Sequence, residues 1–160
     1  MKVAILHDSQ AGNGERLAQA MKEAFEGAGV SVTMGHVNSV SPESIAKEAP
    51  DLLIVGAAIR AFHTSTTSKR WLKSLAGALR TTGGTISHGA AFVTHGLPKD
   101  KANGWGNRFR KRLEKVRGLT EVYPEWLSGR VVEQMGPLED GAEDAFRGHA
   151  RTPMERAGVK

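Results

Sequence analysis

Hydrophobic positions along the chain fall into two patterns, short unbroken runs and stretches spaced three or four residues apart. Val3, Ala4, Ile5 and Leu6 are continuous, as are Leu52, Leu53, Ile54 and Val55, and Ala90, Ala91, Phe92 and Val93. Such runs predict strands covered on both faces in a parallel sheet. Val30, Val32 and Met34 alternate with Ser31, Thr33 and Gly35 instead, which predicts a half-exposed strand at an edge. Helical spacing follows each of these four strands. It runs through Leu17, Ala18, Met21, Ala24, Phe25 and Ala28 behind a start near Gly14, then through Ile45, Ala46 and Ala49 behind Ser41 as cap and Pro42 at the first helical position, with Pro50 as the stop. It returns at Trp71, Leu72, Leu75 and Leu79, capped by Thr66 or Thr67, and at Trp105, Phe109, Leu113 and Val116.

In the last quarter, residues 121–126 and 130–135 both read as short strands, interrupted by Pro124 and by Ser128 and Gly129; one of them is expected to be the fifth strand. Leu138, Ala142, Ala145, Phe146 and Ala150 have helical spacing, with Glu139, Asp140, Glu143 and Asp144 where the dipole favours them. Pro153 is expected to stop that helix and leave about residues 152–160 as a frayed tail. Five strands alternating with five helices predict an α/β fold: one domain, residues 1–160, built on a three-layer, doubly wound, five-stranded parallel sheet of order 2-1-3-4-5. Ligands bind such sheets outside the carboxyl ends of the strands, at the switch point between the first and third. That singles out the loops 9–14, 57–66 and 94–104.

The first of these loops changes the picture most. Residues 9–14 hold two glycines, a serine, a glutamine and an asparagine, and open directly into a helix. A helix N-terminus presents unpaired N–H groups and a positive dipole end, which favour a phosphate. Composition then removes alternatives. With no cysteine, disulfides, thiolate catalysis and cysteine-ligated metal centres are excluded. No apolar run approaches a membrane span, and Met1 and Lys2 lead straight into the first strand, so a cytoplasmic protein is expected. The net charge is +5, but residues 99–117 alone hold eight basic residues against Asp100 and Glu114. This is either the solvated face of an amphipathic helix or a docking face for an acidic partner, with nucleic acid the less favoured occupant.

The residues around these loops resemble the flavodoxins and related flavodoxin-like FMN proteins. That family follows its first strand with a hydroxyl residue, a variable residue, Thr, Gly, Asn and Thr, and then an acidic residue; Ser9, Gly12, Asn13 and Glu15 match, while Ala11 and Gly14 replace the threonines. The third strand into Gly56 is similar too, with Ala57 and Ala58 for the usual Ser-Pro pair, and residues 136–141 look like the start of the family's last helix. The resemblance implies FMN as cofactor, its phosphate held by Ser9, Gln10, Ala11, Gly12, Asn13 and Gly14. It implies that Ala57, Ala58, Ile59, Arg60 and Phe62 on one side, and Thr94, His95 and Gly96 on the other, flank the isoalloxazine. Its functional implication is electron transport, an oxidoreductase role between redox partner proteins that are acidic where they meet the basic segment. His95 is the group placed to act as acid or base, with no catalytic residue assigned.

Rival readings of the same residues fit less well. A response-regulator receiver needs a phosphate-accepting Asp at the end of the third strand, where Val55 and Gly56 stand; Asp51 is at the wrong end. A dinucleotide fold needs G-x-G-x-x-G and an acid after the second strand, where Gly35 and His36 stand. Ser9 lacks the Gly-x-Ser-x-Gly frame of a hydrolase elbow. Asp8, His63 and His95 fall on neighbouring loops, but read as ordinary loop residues with no metal. A flavodoxin-like docking module without FMN, working through its basic surface, and a small flavin-dependent reductase both stay open.

Overall fold

A computed structural model of the chain describes residues 1–60, 63–133 and 136–158. Its strands are β1 (Lys2–His7), β2 (Ser31–His36), β3 (Leu52–Arg60), β4 (His63–Thr64), β5 (Ile86–His95), β6 (Leu119–Val122) and β7 (Leu127–Arg130). Its helices are α1 (Asn13–Gly27), α2 (Pro42–Glu48), α3 (Thr66–Thr82), α4 (Lys99–Glu114), α5 (Ala142–His149) and α6 (Arg151–Arg156). The sheet runs β2-β1-β3-β5 and ends on an edge shared by β6 and β7, all parallel; only β4 is antiparallel, paired to the end of β3. This is the expected 2-1-3-4-5 order of strand positions. None of the described helices is long and apolar enough to cross a membrane.

Alternation along the central strands divides the core in two. Ala4, Leu6, Leu53, Val55, Ala91 and Val93 pack with Leu72, Leu75, Phe109 and Leu113 under α2, α3 and α4. Val3, Ile5, Leu52, Ile54, Ala90 and Phe92 pack with Leu17, Met21, Phe25 and Phe146 under α1 and α5. Such double coverage is why the central runs carry no polar residue.

Several boundaries differ from the sequence expectations, each for a local reason. The 57–66 loop is a strand extension and hairpin: Gly56, Ala57 and Ala58 pair with Phe92, Val93 and Thr94, and Ile59 and Arg60 turn back against Thr64 and His63. Gly56 has no side chain because Phe92 covers it: a Cβ there would sit 2.1 Å from the ring. The cap of α3 is Ser65, not Thr66 or Thr67, and it makes no side-chain cap bond. Likewise β5 runs through Thr94 and His95, and α4 already begins at Lys99, so little of the 94–104 loop is loop.

Both candidate runs contribute to the fifth strand position. β6 pairs with the first half of β5 and β7 with the second, and the chain leaves the ladder between them at Pro124, which has no N–H to donate. Gly129 is strand, not turn: a Cβ there would sit 2.3 Å from Leu17 Cδ1 on α1. The last helix begins at Ala142, because Leu138 bridges antiparallel to Val131. Pro153 stops nothing. It is buried in the first turn of α6, where a missing N–H is tolerated, so residues 151–156 are helical and not a frayed tail.

Candidate functional site

The sequence directs β1, β3 and β5 to end at one side of the sheet, and a cavity of about 630 Å³ lies there. Its first wall is the β1–α1 loop, with Ser9, Gln10, Ala11, Asn13 and Gly14. Ser9 Oγ accepts the Gly12 N–H at 3.0 Å, and Gly12 sits at φ +93°, the left-handed conformation that glycine adopts without strain. Gly12 O then accepts the Arg16 N–H, so the turn passes directly into α1. The N–H groups of the first helical turn have no intrahelical acceptor and end at this wall.

The loop is anchored from beneath. The Ser9 N–H donates to His7 Nδ1 at 3.2 Å, which puts the proton of neutral His7 on Nε2. Burial and the edge-on His36 ring push the His7 pKa down, while Glu15 and Asp8 pull it partly back.

Ala58, Ile59 and Arg60 of β3 form the second wall. Arg60 folds back onto the loop, its Nη1 3.3 Å from Asp8 Oδ2 and its Nη2 donating to Asp8 O at 2.8 Å; the Ala58 N–H also reaches Oδ2, at 3.4 Å. Asp8 is 5% exposed and Arg60 34%, so the carboxylate is shielded while the cation remains on the cavity surface.

Thr94, His95 and Gly96 form the third wall. The buried His95 shares a 2.7 Å hydrogen bond between Nε2 and Ser128 Oγ, and lies edge-on to Trp126 at 5.8 Å. Burial lowers its pKa, and the nearby Leu97 main chain partly opposes that; the Leu97 contact falls short of hydrogen-bond geometry and leaves Nδ1 without a partner.

Eleven of the residues expected at the site therefore meet at one cavity. Gly12 shapes the loop without lining it, Ala57 is buried in the core, and Phe62 lies outside the described residues. Sequence reasoning missed Leu97, Val131, Val132 and Glu133. The last three follow β7, and a run continuing past the carboxyl end of the fifth strand has to enter this side of the sheet. Val132 is 66% exposed, the one large apolar side chain so exposed among the described residues. Gly136 approaches the loop from the same segment: a Cβ there would sit 2.7 Å from Asn13 Nδ2. No cluster of three or more His, Asp or Glu suited to a metal ion occurs among the described residues.

No protein-family model matches the sequence, and no curated protein matches it. Solved structures do. A flavodoxin from the domain Archaea superposes with a TM-score of 0.73 at 16% identity, covering 98% of both chains. Oxidised flavodoxin 2 from Bacillus cereus gives 0.72 at 18%, covering 98% of this chain and 99% of that one. A flavodoxin WrbA-like protein from Agrobacterium tumefaciens gives 0.72 at 17%, covering 99% of each. The fold is flavodoxin-like.

Proposed function

We propose that this chain is an FMN-binding, flavodoxin-like redox protein that moves electrons between partner proteins. The observation that carries the reading is the loop 9–14 at the start of α1, lining one cavity with the ends of β3 and β5. That is where a sheet of this order takes its ligand, and the cavity volume falls within the range of cofactor pockets.

The residues present fit the group. Ser9 Oγ uses a lone pair on Gly12 and keeps its proton to donate to a phosphate, beside the N–H groups of the first turn of α1. Arg60 adds a cation on the facing wall, which favours an anionic ligand. Val132 offers an apolar lip that a flat ring would cover. His95, fixed by Ser128 and pressed against Trp126, is a rigid flank, with a depressed pKa that keeps it neutral near pH 7. Bound FMN supplies the electron-transfer chemistry; the protein holds it, excludes water and sets its electrostatic surroundings.

The test is titration of flavin-free protein with FMN and with riboflavin, read by quenching of flavin fluorescence. Binding of FMN at micromolar concentration or tighter, with riboflavin weaker, is expected. No saturable binding of either flavin would overturn the reading and leave the docking module, for which the missing hydroxyls of Ala11 and Gly14 speak.

A further inference from the structure

The chain's positive charge is concentrated on two neighbouring helices. α3 carries Lys69, Arg70, Lys73 and Arg80 with no acid, and α4 carries six basic residues against Asp100 and Glu114. Together they hold a net +8 in a chain of net +5, so everything else is net −3. The charge is also aligned. Lys69, Lys73 and Arg80 fall on one stripe of α3, and Lys101, Arg108 and Arg112 on one stripe of α4.

The stripes meet at Lys69. Partial burial, and then the guanidinium groups of Arg112 and Arg108, push its ammonium below the ordinary lysine range. Among the described residues no carboxylate pairs with any of these six side chains. Arg110, in contrast, is largely buried and tied to Glu114, so it lies off this face although it belongs to the same basic segment. Like charges brought together without a counter-charge oppose folding, and an acidic surface from outside would relieve that opposition.

We propose that the α3–α4 face is the docking surface for an acidic redox protein that gives up one electron per encounter, gained by the flavin. This rests on the flavin reading above. Placement argues for a redox partner: α4 begins just beyond Leu97, which lines the cavity, and α3 follows directly on the β3–β4 hairpin whose Ile59 and Arg60 line it. A partner held on these helices is therefore brought to the flavin site. Nucleic acid suits the face less well, because of the two aromatics of α4 Phe109 is buried and Trp105 is covered at 4.6 Å by the Arg108 guanidinium, which leaves bases no open stacking platform on that face.

The experiment uses a plant-type [2Fe–2S] ferredoxin, an acidic one-electron carrier, as the probe. Its binding to the flavin-free and flavin-loaded chain is measured by calorimetry. Raising salt from about 20 to about 200 mM should weaken association at least about tenfold, since the Debye length falls below the width of the face. Lys69→Glu/Arg108→Glu/Arg112→Glu should weaken it at low salt by a further ten- to a thousandfold, while Lys22→Glu on α1 changes it less than about threefold. Arg108→Glu alone, with an unchanged thermal transition, serves if the triple variant does not fold. Affinity indifferent to salt or to these reversals overturns the proposal. So does tighter binding of a 20-bp DNA duplex than of ferredoxin at equal salt, lost in the triple variant. Because the flavin-free chain is included, docking fails or holds independently of FMN binding.

Discussion

Replacing Ser9 with alanine isolates the single hydroxyl of the β1–α1 loop. In the flavin-free protein its Oγ accepts the Gly12 N–H at 3.0 Å, and that bond should contribute about 0.5–1.5 kcal/mol to stability. A charge-assisted bond from the same hydroxyl to a phosphate is worth about 1.5–3 kcal/mol. Losing it should weaken FMN about ten- to a hundredfold. The lower end is expected, because Ser9→Ala also frees the Gly12 N–H to turn toward the anion. Riboflavin has no phosphate, so it should weaken less than about threefold, which is all that a looser turn transmits. Paired fluorescence-quenching titrations of parent and variant read both numbers. Equal weakening of both flavins would mean that Ser9 only shapes the pocket. No change in either would mean that the loop is not a phosphate site.

Gly14→Thr restores one of the missing hydroxyls at a position with ordinary helical φ, where a Cβ meets Ser9 Cβ at a tolerable 3.4 Å; FMN should tighten several-fold, and weaker binding in the same titration would contradict the loop geometry. Gly77→Ala and Gly106→Ala form an opposed pair within helices. The first points into open space and should stabilise by up to about 1 kcal/mol. The second puts a Cβ 2.2 Å from the Trp126 ring and should cost about 1–3 kcal/mol of overpacking, only partly offset by propensity; urea unfolding that shows equal effects would refute the contact. The buried His7 and His95 are both held below the ordinary value of 6.5. Above that pH both folded and unfolded chains keep them neutral and the full stability is present. As pH falls below it, the unfolded chain takes up protons that the folded one refuses, so thermal stability should decline from pH 6.5 downward, and less steeply in His95→Gln. A flat Tm between pH 7.5 and about 5 would contradict that burial.

The sheet was legible because its central strands must be apolar on both faces, and nothing outside them imitates Val3 to Leu6, Leu52 to Val55 or Ala90 to Val93. The outer ends of the same strands were not. Gly56 looks like a loop residue because it is small, yet it is small because the Phe92 ring occupies the space a side chain would take. Propensity scores a residue by itself, whereas this choice was made by a residue more than thirty positions away. The same holds for Gly129 beneath Leu17. Among the loops, the first was readable because its shape depends on backbone and local turn chemistry, which sequence displays directly. Arg60 illustrates the opposite: its position was foreseen, but its grip on Asp8 depends on two strands being adjacent.

The interruption of the fifth strand is where sequence patterning falls furthest short, and it is also where the site is joined to the basic helix. Pro124 takes the chain out of the ladder for a few residues, and that excursion carries Trp126 over Gly106, where its Nε1 donates to Asn103 Oδ1 at 2.9 Å. The same indole lies edge-on to the His95 ring at 5.8 Å, and two residues on Ser128 shares a hydrogen bond with His95 Nε2. A cavity wall and α4 thus share one buried aromatic. Asn103 and Gly106 have no obvious helical virtue, since asparagine is a modest helix former and glycine a poor one. They are explained by what they accommodate: one satisfies the indole N–H, and the other makes room for the ring. A partner docked on α4, as proposed, would therefore press on a helix that shares Trp126 with the His95 wall of the cavity, so the docking and flavin proposals meet at one buried side chain.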